Sequence, residues 1–343
     1  MNYIGSKYSL LDFIDNTIKE VVGDDLSDMV FCDLFAGTGI VGRHFKTRVR
    51  KVIANDWEYY SYVLNRNYIG NCSELADKAD YMEMLNSLQG TKDGLIYSQY
   101  CQGGGNGRLY FSDDNGQKID DARSTIGRWR ETGEISDGLY YFLLCSLLES
   151  ADKCANTASV YGAFLKHLKK SAQKPLVIAP ADYQTSNGEH EVYNEDANSL
   201  IRRIGGDILY LDPPYNSRQY GANYHLLNTI AEYKPFTPKG KTGLREYSKS
   251  NYCSKAKVRQ AFEDLIRDAR FRYIVLSYNN EGIMSMKDIG EIMTKYGDYL
   301  MFQKEYQRFR ADKIENRNHL ADTTTEYLHV LIKQPDYILR MQR

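Results

Sequence analysis

Residues 29–66 constrain the fold more than any other stretch. MVFCD (29–33) is a short apolar run, FAGTG after it is a glycine-rich turn, and IVGRHFK then has helical spacing. KVIAND (51–56) repeats the theme, an apolar run ending in an acid, and WEYYSYVLNRNY after it again has helical spacing. Strand, helix and strand in this order predict a right-handed parallel crossover. DILYL (207–211), YIVLS (273–277) and YLHVLI (327–332) supply further strands. Strands alternating with helices predict an open α/β sheet of Rossmann type, mostly parallel, with helices on both faces.

Between 67 and 189 the alternation stops. Gly103, Gly104, Gly105 and Gly107 mark a loop, Asp114-Asn115-Gly116 is a turn signal, and Ile135 to Lys170 reads mostly as helix, with LYYFLLCSLL as its apolar stretch. This block is expected to be an inserted, largely helical subdomain. Residues 1–66 and 190–343 would then form one discontinuous domain around it.

Composition narrows the class. The chain has no run of about 18 apolar residues, so no membrane-spanning helix is expected. MNYIGSKYSLLDFID lacks the basic start and apolar block of a signal peptide, which makes the expected location cytoplasmic. Cys32, Cys72, Cys101, Cys145, Cys154 and Cys253 have no metal-ligand spacing, so reduced thiols and no metal site are expected. Net charge is only −1, but the charges are unevenly spread. Lys234 to Arg259 holds eight basic residues against the single acid Glu246, and Lys166, His167, Lys169, Lys170 and Lys174 form a second basic cluster. Some of the 29 tyrosines interleave with these charges, as in YCSKAKVRQ, a pattern suited to phosphates and bases.

Three motifs carry the chemistry. Asp33-Leu34-Phe35-Ala36-Gly37-Thr38-Gly39 closes the first strand, and its glycines let backbone approach a ligand. No Gly-Lys-Ser/Thr follows, so it is not a P-loop, and the full dinucleotide fingerprint is absent as well. An acid at the head of the loop suits a cofactor bearing an ammonium or sulfonium. Asp56 ends the second strand, where a carboxylate can take both hydroxyls of a ribose. Asp212-Pro213-Pro214-Tyr215 ends the strand at 207–211, and two prolines there stop any ladder. A carboxylate and a carbonyl fixed side by side can accept both hydrogens of an exocyclic amine, and Tyr215 offers a flat surface for a base removed from its stack.

These motifs resemble, in order, those of the alpha-class, Dam-like adenine-specific DNA methyltransferases. Asn2-Tyr3-Ile4-Gly5-Ser6-Lys7 resembles that family's N-terminal motif, and Glu195-Asp196-Ala197 its acid that meets the adenine of S-adenosylmethionine. DPPYNSRQYGANYHLLNTI and ANTASVYGAFLK resemble the branch found with type IIS restriction systems. The resemblance implies a methyltransferase sheet and S-adenosylmethionine held by Tyr3, Lys7, Asp33, Phe35, Gly37, Asp56, Asp196 and Asp212. It implies a target adenine held by Asp212, Pro213 and Tyr215, and an insert that reads sequence on double-stranded DNA. Arg218, Tyr220, Tyr224, Lys166, Lys169, Lys255 and Lys257 are the candidate DNA contacts. Arg308, Arg310, Lys313 and Arg317 are a further candidate phosphate contact, while His225 is expected to be structural. A cognate endonuclease would be a partner, and the oligomeric state stays open.

The alternatives are narrower. None of the six cysteines follows a proline, which excludes carbon-5 cytosine chemistry. Methylation of the cytosine amine more often goes with Ser in place of Asp212, and methylation of RNA or protein with Asn. A catalytically silent DNA-binding subunit would carry a broken motif, and none is broken here.

Overall fold

The structure, a computed structural model, describes residues 6–307 and 323–334. Seven strands form one sheet: β1 Val30–Asp33, β2 Lys51–Asn55, β3 Glu191–Tyr193, β4 Gly205–Leu211, β5 Arg270–Asn279, β6 Gly297–Gln307 and β7 Thr323–Lys333. Their order is β3-β2-β1-β4-β5-β7-β6. The first five are parallel, with Cys32 of β1 level with Ile53 of β2 on one side and Leu209 of β4 on the other. β7 runs antiparallel to both β5 and β6. The expected α/β sheet is therefore present, with two strands added that the sequence did not announce. β3 is only three half-buried residues, and β6 exposes Leu300 and Met301, which blurs its apolar pattern.

Both faces of the sheet are covered, as the pleat dictates. Val30, Cys32, Leu209, Leu211, Ile274 and Leu276 share one core with Phe262 and Leu265 of the helix Val258–Asp268 and with Ile289 and Ile292 of the helix Met286–Thr294. The residues between them face the other way. Phe31 stacks on Phe45 of the helix Ile40–Phe45 at 4.3 Å and on Tyr210 at 6.5 Å. A phenyl ring buried as completely as Phe45 contributes about 1.5–3 kcal/mol.

The chain divides into two compact units. The sheet lies in the one formed from Gly5–Trp57, Ser186–Gln219 and Lys249–Arg343. The other gathers Glu58–Thr185 and Tyr220–Ser248, so the helical unit is larger than the 67–189 insert read from sequence and takes in the segment after the Asp-Pro-Pro-Tyr turn. Its centre is the helix Asp137–Cys154, capped by Ser136 and buried along most of its length. Arg123 donates to the carbonyls of Ile230 and Ala231, at 3.0 Å each, and so closes the end of the helix His225–Glu232.

Two expectations for this unit fail. Asp114-Asn115-Gly116 is not a turn but the start of the 19-residue helix Asp113–Glu131, capped by Ser112. Asn115 uses its side chain to bind Lys174 O and Leu176 N, and a Cβ on Gly116 would stand 2.2 Å from Cys101 Sγ. Tertiary contacts thus explain residue types that locally signal a turn. The helix expected over 135–170 ends at Cys154, beyond which residues 155–170 form no regular helix. Among the described residues, no helix is long and apolar enough to cross a membrane.

Candidate active site

From β1 the sheet grows to β2 on one side and to β4 on the other, so the strand order reverses between the parallel neighbours β1 and β4. In open α/β sheets ligands bind beyond the carboxyl ends of strands at such a point. Asp33 ends β1, Asp56 follows β2 and Asp212 follows β4, so three strand ends deliver three acids to one edge.

Asp33 is buried. Its Oδ2 accepts from Gly42 N at 3.0 Å, and its Oδ1 has no partner among the described residues. Burial pushes its carboxyl up to about 8; the Gly42 N–H pulls it down, and the Asp212 and Asp56 charges push it further up. Gly37 and Gly39 have φ of 52° and 73°, the left-handed region that glycine reaches without strain. This backbone turns the Gly37 N–H onto Asp56 Oδ2 at 2.8 Å. Phe35 meets the edge of Tyr252 at 5.0 Å. Tyr252 donates to Asn198 Oδ1 at 2.9 Å, in the short helix that Asp196 caps through Ser199 N. The glycine loop, Asp56 and Asp196 therefore lie in one connected framework. Tyr3 lies outside the described residues.

Two asparagines missed in the sequence hold that framework. Asn55, buried, donates to Leu34 O and Glu195 O at 3.1 Å each and accepts from Glu195 N at 3.0 Å. Asn194 donates to the carbonyls of Asp56 and Trp57. Asparagines at strand ends are common, and only the pairing of distant segments distinguishes these two.

Asp212 stands beside Lys7, whose Nζ is 3.2 Å from its Oδ1. The same ammonium is 2.9 Å from Glu326 Oε1 on β7 and 5.9 Å from the centre of the Tyr215 ring. Burial pushes the Asp212 carboxyl up, Lys7 draws it down and Glu326 pushes it up again, leaving it at about 6. Burial alone would lower Lys7, but the Asp212 and Glu326 carboxylates hold it well above the ordinary lysine range. Pro213 is buried, and Tyr215 is half-buried, edge-on to Tyr278 at 6.4 Å. Tyr215 O also accepts from Ile283 N at 3.0 Å, which fixes the turn. Three acids and a glycine loop, with an unpartnered buried carboxylate oxygen, make a donor set that fits a cationic, ribose-bearing cofactor.

The DNA candidates separate by exposure. Arg218, Lys255 and Lys257 are exposed in the sheet unit. Arg218 N binds Asn216 Oδ1, and Ser250 N binds Gln219 Oε1, so the segment after Tyr215 is tied to the loop that carries the two lysines. In the helical unit Lys166 is exposed, Tyr220 is half-buried, and Lys169 donates to Thr157 O at 2.7 Å. Tyr224 is a correction. It is fully buried among Tyr60, Tyr161 and Tyr220, so it is a packing residue and presents no surface to DNA. His225 is buried too, with Nε2 3.1 Å from Tyr161 O, and burial lowers it to about 4, in keeping with the structural role expected. Arg308, Arg310, Lys313 and Arg317 lie outside the described residues.

Comparison with known proteins adds an independent line. A family model described as D12 class N6 adenine-specific DNA methyltransferase matches residues 3–292. The chain is 62% identical over 333 residues to the type II methyltransferase M.NlaIII of Neisseria lactamica, covering 97% of this chain and 99% of that one. It is 40% identical to the type II methyltransferase M.CviAII of Paramecium bursaria Chlorella virus 1, over 91% of this chain and 93% of the relative. Identity to the type II methyltransferase M.FokI of Planomicrobium okeanokoites is also 40%, over 94% of this chain but 52% of that longer protein.

Proposed function

Because this chain belongs to the D12 class of N6 adenine-specific DNA methyltransferases, we propose that it moves the methyl group of S-adenosylmethionine to the amine of an adenine flipped out of double-stranded DNA. The enzyme is a DNA adenine methyltransferase of the restriction–modification kind. It protects its recognition sequence against a cognate endonuclease, and its place of action is the cytoplasm, on the nucleoid.

Asp33, with its unpartnered buried oxygen, carries the cofactor assignment. Burial holds its carboxyl at about 8, and a cation docking against the oxygen left without a partner among the described residues would favour the ionised form, which makes this a natural seat for one. Asp33 would take the cationic amino-acid end, Asp56 the ribose hydroxyls, and Phe35 and Asp196 the adenine side, with Gly37 giving backbone room. Tyr3 and Lys7 complete the set. The cofactor supplies an electrophilic methyl group.

Asp212 and the Pro213 carbonyl accept the two hydrogens of the adenine amine. This draws the nitrogen towards a tetrahedral shape and frees its lone pair, so the gain is positional and electrostatic. Lys7 stands 3.2 Å from Oδ1 of Asp212, and Oδ2 would take the amine. With its carboxyl at about 6, Asp212 is ionised at neutral pH and can hold the proton the methylated amine gives up. Tyr215 stacks on the base. The helical unit, with Lys166, Lys169 and Tyr220, reads sequence, while Arg218, Lys255 and Lys257 bind phosphates.

Methyl transfer from tritiated S-adenosylmethionine to unmethylated duplex DNA, RNA and protein in parallel tests this reading. Label in duplex DNA alone, in a sequence that then resists cleavage by an endonuclease of the same specificity, is expected. Label in RNA or protein instead would overturn the substrate assignment.

A further inference from the structure

Lys7 does not face Asp212 alone. Its ammonium is shared with Glu326, which lies far along the chain and enters from β7, and Glu326 in turn accepts a 2.5 Å hydrogen bond from Ser277 Oγ on β5. Asn279 of β5 and Lys304 of β6 stand level with Glu326 in the sheet. Lys304 reaches over the Phe13 ring. Glu326 and Lys7 are both buried. A fully buried carboxylate costs several kcal/mol unless it is paired, so a purely structural sheet would place an apolar residue here.

We propose that Glu326, fixed by Ser277, is a positioning residue that shares the Lys7 ammonium and so keeps Asp212 a strong enough acceptor to grip the target amine. This rests on the role given above to Asp212. With two carboxylates competing for one ammonium, Lys7 bridges them at 2.9 and 3.2 Å, the longer contact being to Asp212. Without the Glu326 charge, Lys7 pairs with Asp212 alone and drains the acceptor strength that the amine needs. The charged and titratable groups facing Asp212 are Lys7, Glu326 on β7, Tyr210 on β4, Asp33 on β1 and Tyr215 in its own turn. Of these, Glu326 is the like charge nearest the shared ammonium, and it pushes the Asp212 carboxyl up. Removing it must move the acid limb of activity to lower pH.

The test is kcat and kcat/KM for duplex DNA against pH, at saturating S-adenosylmethionine, for wild type, Glu326→Gln, Lys7→Met, the double variant and Asp212→Asn. Glu326→Gln should lower kcat about tenfold with little change in the KM for DNA, in the range seen when a partner that orients a contacting group is removed. Its acid limb should shift to lower pH, and on the Lys7→Met background the substitution should cost nothing further in kcat. If Glu326→Gln does not fold, Ser277→Ala keeps the charge, removes the hydroxyl that fixes it, and should give a smaller kcat loss that also vanishes on the Lys7→Met background. An unmoved limb, or losses that multiply in the double variant, overturn the proposal while Asp212→Asn remains inactive. An active Asp212→Asn overturns the role of Asp212 itself.

Discussion

Replacing Asp33 by Asn separates binding from stability at one position. The side chain is isosteric, and its carbonyl can still accept the Gly42 N–H now bound at 3.0 Å. What disappears is a buried carboxyl raised from 3.8 to about 8. Between those values the folded protein holds a proton that the unfolded chain has lost, so stability from this group is present in full below 3.8 and drains away as pH rises to 8. At 1.36 kcal/mol per unit the loss is about 4 kcal/mol by pH 7 and about 5 kcal/mol by pH 8. The unpartnered N–H that Asn introduces costs about 1–3 kcal/mol, but a protonated Asp33 already carries an unpartnered O–H at the same place. The charge effect therefore decides the sign. Melting curves without cofactor, from pH 5 to 9, should show Asp33→Asn gaining on wild type as pH rises, the other titrating groups being common to both, with the variant melting several degrees higher at pH 8. Calorimetry on the same variant should show S-adenosylmethionine binding weakened at least about 100-fold, the loss of a buried ion pair. Parallel melting curves, or a variant less stable at pH 8, would refute the reasoning.

Three other outcomes follow from the same geometry. Tyr215→Ala should lose about 1–3 kcal/mol of base stacking, read as a 5- to 150-fold drop in kcat/KM for DNA, while Tyr215→Phe keeps most of the activity because the ring is what stacks. Lys255→Ala with Lys257→Ala should weaken binding to all sequences alike and flatten the slope of log affinity against log salt by about 2, as measured by titration of labelled duplex at several ionic strengths. Asn55→Ala strips partners from Leu34 O, Glu195 O and Glu195 N; it should lower stability by about 2–4 kcal/mol in urea titrations and weaken S-adenosylmethionine binding without touching the DNA contacts.

The sheet was legible where strands are buried on both faces. β1, β2, β4 and β5 read as unbroken apolar runs because helices cover both sides of them. β6 was not legible, since an edge strand with exposed Leu300 and Met301 carries no clean alternation. Asn115 and Gly116 misled because their types serve distant partners, the 174–176 segment and Cys101, rather than a local turn. The acids of the site could be read because each ends an apolar run. Glu326 could not, because its link to Lys7 spans 319 residues and depends on β7 running antiparallel beside β5. Tyr224 was misplaced for a related reason: a tyrosine in a polar stretch looks exposed until the rings of Tyr60 and Tyr161 close around it.

The central claim is that Asp212, Pro213 and Tyr215 direct a methyl group onto the exocyclic nitrogen of adenine. Nucleoside mass spectrometry of duplex DNA treated with the enzyme and S-adenosylmethionine tests it most directly. The account predicts N6-methyldeoxyadenosine as the product from wild type and none from Asp212→Ala folded as well as wild type. A methylated cytosine, or an undiminished yield of methyladenine from Asp212→Ala, would contradict it.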